Sequence, residues 1–68
     1  MNEKQWRKAI IQTTGMDPRI YIRAAASFAR HGEWSEVARM SGLIRDLESL
    51  AGVPVLASVI GQMSEEAR

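Results

Sequence analysis

The chain has 68 residues, with nine Lys or Arg, eight Asp or Glu, one His and no Cys, for a formal net charge of +1. That size allows one small domain with a thin core, and the missing cysteine excludes disulfides and thiolate-bound metal. An apolar fraction of 46% is too high for a disordered chain, and so small a charge gives no overall attraction to nucleic acid or an anionic membrane.

The charge is unevenly placed. Residues 1–31 sum to +4 and residues 32–68 to −3. In a domain this small the halves pack together, so complementarity within the fold is one reading. A basic and an acidic face suited to head-to-tail association, or to one oppositely charged partner, is the other.

Four helices are predicted, at about 3–14, 18–31, 34–51 and 54–64, forming a single all-α domain over 1–68 with a frayed end. Asn2 and Gln5 have the spacing of a capping box, and Trp6, Ala9, Ile10 and Thr13 then share one face. Asp17-Pro18 is the strongest local signal: the carboxylate accepts orphan amide hydrogens, and proline at the first helical position loses no bond. In the second helix Ile20, Tyr21, Ala24, Ala25 and Phe28 are expected to face inward, opposite Arg19, Arg23 and Arg30. The alanines permit close approach of a neighbour, and Gly32 suits the left-handed residue that closes a helix.

The third helix is expected to start near Trp34, with Ser35 as a candidate cap. Val37, Met40, Leu43, Ile44, Leu47, Leu50 and Ala51 cover an arc of roughly 140°, wide enough for two neighbours, which makes this helix the hub. Gly42 lies outside the arc and is a candidate for a close crossing, a bend or a break. Gly52 and Pro54 then mark a boundary. Val55, Leu56, Val59, Ile60 and Met63 are expected to face inward from a fourth helix; β-branched residues make a short strand the alternative for 53–60.

Groups for chemistry are scarce. His31 is the only imidazole, and at a helix C-terminus it is suited to bonding the last carbonyls. Glu33 with Glu36, Asp46 with Glu48, and Glu65 with Glu66 form no pair of differently set carboxylates such as acid–base catalysis needs. The five glycines are isolated, so no phosphate loop is present. No catalytic residue, metal, cofactor or small-molecule substrate is assigned. The most apolar stretch, 53–61, is far short of the roughly 20 residues that span a membrane. No signal-peptide core follows the N-terminal charges, and a cytoplasmic location is expected.

Two partial motifs occur. Ala25, Phe28, Gly32, Trp34 and Ala38 resemble the middle of a tetratricopeptide-type hairpin, in which small and aromatic residues interlock two helices around a tight glycine turn. The likeness stops after Ala38 and no second period of about 34 residues follows, so the reading is a generic αα-hairpin over 18–50 with no family assigned. Val37, Ala38, Gly42 and Leu43 resemble the opening of a helix-turn-helix. There Ile44 replaces the polar cap, Leu47 and Leu50 are out of phase, and Asp46 and Glu48 would face phosphates.

The expected function is protein–protein interaction: a small adaptor, chaperone-like or inhibitor protein, self-associating or bound to another protein. Trp6 and Trp34 are contact candidates because tryptophan is enriched at the centres of interfaces. Trp34 falls outside the third helix's main arc and is expected to plug the hairpin corner; an exposed setting would make it a contact. Arg19, Arg23 and Arg30 would steer and select the partner. The alternative is a nucleic-acid binder that uses these arginines with Lys4, Arg7 and Lys8 along a basic face. Tyr21 and Phe28, expected to point inward, offer no stacking platform for bases.

Overall fold

In the computed structural model, which describes residues 1–56, the chain forms an all-α bundle of three helices. They are α1 (Glu3–Thr14), α2 (Pro18–Arg30) and α3 (Trp34–Ala51). α2 and α3 form the hairpin and share the largest interface. α1 lies on α3, and α1 and α2 touch least, so α3 is the hub.

The local signals are realised bond by bond. The Gln5 amide donates to the Asn2 side chain at 2.8 Å, and the Asn2 amide donates to the Gln5 side chain at 3.0 Å, which closes the capping box. Asp17 accepts from the Arg19 amide at 3.0 Å, with Pro18 opening α2. At the hairpin turn the Glu33 amide bonds the Phe28 carbonyl at 2.9 Å and the Gly32 amide bonds that of Ala29 at 3.1 Å. This paired closure needs the left-handed conformation that Gly32 adopts at φ +71°. Gly52, at φ +68°, closes α3 the same way. The His31 ring adds a further tie, its Nδ1 donating to the Ser27 carbonyl at 2.8 Å.

The core is built from α1 and α3. Trp6, Ile10, Ile44 and Leu47 form the buried cluster, and Tyr21, Ile22, Ala51, Val53 and Leu56 pack against it. Met40 is also buried, as the predicted α3 arc has it, whereas Leu50, expected to face inward, is exposed. α2 differs more. Its buried positions are Pro18, Ala25 and Ala29, and Ile20 is 61% exposed. The helix is therefore rotated about a quarter-turn from the orientation that would bury its largest aliphatic groups. The physical reason is that two alanines let α2 approach α3 closely, and close packing along a whole helix outweighs burial of one isoleucine.

Three further expectations change. Ser35 lies within α3, whose N-cap is Glu33 with no side-chain bond. Val53–Leu56 have no helical structure, so the expected fourth helix does not begin at Pro54. Its remainder, and the short-strand alternative beyond Leu56, lie outside the described residues. Gly42 marks neither a break nor, among the described residues, a close crossing: α3 runs through it without interruption, and none of those residues comes within 4 Å of where its Cβ would stand. Gly42→Ala is therefore expected to stabilise the protein by up to about 1 kcal/mol, read as a higher urea midpoint with unchanged slope. A lower midpoint would show that the glycine serves a contact absent from this fold.

Candidate functional site

α1 and α2 pack sparsely against each other. Between them opens a cleft of about 450 Å³ lined by Glu3, Lys4 and Arg7 from α1 and by Arg19, Ile22 and Arg23 from α2. The orientation of α2 creates it. With Ala25 and Ala29 turned to α3, Arg19 and Arg23 swing round to meet the basic face of α1. A second hollow of about 370 Å³ shares Lys4 and Arg7 and adds Lys8, Ile11 and Gln12. Together they form one basic track along α1 from Glu3 to Gln12.

One cation there has a structural task. Arg7 reaches across to Asp17 with two parallel bonds, its Nε and Nη2 each 3.2 Å from one carboxylate oxygen. Asp17 thus caps α2 and clamps α1 to it at once. The Arg19 amide first, and the Arg7 guanidinium second, hold the Asp17 carboxyl below its ordinary value of 3.8. A carboxyl whose pKa is depressed by folding stabilises the fold fully above the unfolded value and loses that contribution as pH falls through the folded one. Asp17→Asn is therefore expected to flatten the acid limb of the stability–pH curve below the ordinary carboxylate range. Asp17→Ala should also cost about 1 kcal/mol at neutral pH through the lost cap. Urea titrations across the acid range check both; an unchanged acid limb in Asp17→Asn would remove this group from the pH response.

The remaining cations in the track are differently placed. Lys4, Lys8, Arg19 and Arg23 take no part in the Arg7–Asp17 and Arg39–Glu36 ion pairs, although the Asp17 carboxylate also feels the Arg19 charge. Arg30, further along α2, does not line the cleft, so the sequence-predicted stripe divides: Arg19 and Arg23 join α1, and Arg30 stands apart.

The two tryptophans, both contact candidates from sequence, are placed differently by the fold. Trp6 is fully buried, so its side chain is not available to a partner in this fold. Its indole Nε1 donates at 3.1 Å to Glu48, which is itself 4% exposed on α3. This pair was missed from sequence, although a signal existed. Glu48 sits within the apolar arc of α3, four residues after Ile44 and three before Ala51, and a buried indole requires an acceptor. Trp34, expected in the core, is 52% exposed at the start of α3. It is the first residue of that helix and is not a member of the buried Trp6 cluster.

Among the described residues no three His, Cys, Asp or Glu side chains converge to hold a metal ion, and no helix is long and apolar enough to cross a membrane. No buried side-chain polar atom there lacks a hydrogen-bond partner. The described part is a small helical domain whose polar groups serve capping, clamping and surface charge. No protein-family model, curated protein or solved structure matches this chain.

Proposed function

We propose that the protein is a non-catalytic protein-binding module, a small adaptor or inhibitor that holds its partner by contact. The observation that carries this reading is the exposed Trp34. A tryptophan offers a large, rigid contact surface at low entropic cost, and such residues dominate the energetics of protein interfaces. Of the two tryptophans in this chain, Trp6 completes the core and Trp34 stands on the surface. Arg19 and Arg23, with Arg30 further along α2, supply charge for steering and selection. Self-association belongs to the same proposal: a chain this small has a thin core, and a second copy is one way to cover its exposed apolar groups.

The test is affinity capture from nuclease-treated lysate of the native host, with bound proteins quantified, beside sedimentation of the purified chain. One protein held near equimolar and resistant to salt is expected, or a defined homo-oligomer. Trp34→Ala should weaken that complex at least about tenfold, as interface tryptophans do, while leaving the urea midpoint unchanged. Capture of nothing by a monomeric chain, or a complex indifferent to Trp34→Ala, would refute the reading.

A further inference from the structure

The basic track supplies the chemistry of a partner. Lys4, Lys8, Arg19 and Arg23 converge on adjoining hollows, while Arg7 is fixed by Asp17 in a two-bond ion pair. Clustering like charges is unfavourable for an isolated fold, and this cluster lies where the two helices touch least. Its lining is not uniformly charged. Ile22 forms part of the cleft floor, and Ile11, 36% exposed, lies in the adjoining hollow. The track therefore alternates cations with aliphatic surface.

That alternation distinguishes between polyanions. A nucleic-acid backbone presents phosphates and gains little from isoleucine. A peptide carrying both carboxylates and aliphatic side chains uses the cations and the aliphatic surface together. We infer that the α1–α2 cleft and its adjoining hollow receive an acidic, amphipathic segment of a partner protein, with carboxylates against Lys4, Arg19 and Arg23 and aliphatic side chains against Ile11 and Ile22. This assignment rests on the protein-binding reading and names the partner's chemistry. The guanidinium groups provide planar, forked donors for carboxylates, and the isoleucines provide contact that survives salt.

The test uses the full chain and three fluorescent probes: a peptide with Glu and Leu at helical spacing, its Glu→Gln counterpart, and oligothymidylate. Anisotropy should show binding of the acidic peptide, with the other two at least about tenfold weaker. Arg19→Ala with Arg23→Ala should weaken the acidic peptide about tenfold or more. Ile11→Ser, at an exposed position that the core does not need, should weaken it by roughly five- to tenfold. Unchanged circular dichroism in each variant separates lost binding from lost fold. Failure of the acidic peptide to bind, preference for oligothymidylate, or indifference to Ile11→Ser would each overturn the assignment. All variants retain Trp34, so a Trp34-dependent complex alongside no peptide binding would remove only the cleft's role.

Discussion

Trp6→Ala is expected to abolish cooperative folding at room temperature. Removing a fully buried tryptophan costs about 3–5 kcal/mol through lost transfer energy and the cavity left behind. A chain of this length has on the order of 3–10 kcal/mol of total stability, and its thin core places it toward the lower end. Trp6 is the largest member of the buried cluster, which otherwise consists of Ile10, Ile44 and Leu47. Far-UV circular dichroism with a urea titration would show loss of the sigmoidal transition; a retained transition with a small midpoint shift would mean that α1 contributes little to the fold.

The effect is enlarged by chemistry as well as volume. Trp6 and Glu48 satisfy each other across α1 and α3, and removing either partner strands the other in a dry site. Glu48→Ala is expected to cost about 1–3 kcal/mol by orphaning the indole N–H, and Trp6→Phe a comparable amount by orphaning the carboxylate. Glu48→Gln keeps an acceptor and should cost less. Joining Trp6→Phe with Glu48→Ala removes both polar groups, so the double variant should be more stable than the two single losses summed. Strict additivity in that cycle would deny that the hydrogen bond couples the helices.

Legibility from sequence followed the range over which each determinant acts. The capping box at Asn2 and Gln5, the Asp17-Pro18 start and the Gly32 and Gly52 stops are settled within a few residues, and each was readable. The hub role of α3 was readable too, because a wide apolar arc demands two neighbours whatever they are. The cross-chain pairings were not. Arg7 with Asp17 spans ten residues and Trp6 with Glu48 spans 42, and nothing in local spacing selects those partners. The basic face was visible as a set of cations, but its division into a cleft with Arg19 and Arg23, leaving Arg30 apart, depends on how α2 is rotated. Trp34 illustrates the same limit: its place on the helix was correct and its burial was not, since a residue at a helix end depends on what the turn brings near it.

That rotation gives a prediction of its own. Ala25→Leu is expected to destabilise the protein by about 1–3 kcal/mol, because Ala25 is 1% exposed where α2 meets α3 and a larger side chain must push the helices apart. Ile20→Ala, by contrast, should change stability by no more than about 0.5 kcal/mol, since Ile20 is mostly in solvent. Hydrophobic patterning alone ranks them in the opposite order, treating Ile20 as core and an alanine-to-leucine change as added burial. Paired urea titrations decide which face of α2 meets the hub. The outcome also bears on function, because only with Ala25 and Ala29 inward do Arg19 and Arg23 reach the side of α1. A costly Ile20→Ala beside a neutral Ala25→Leu would place α2 a quarter-turn away and close the basic cleft as a site.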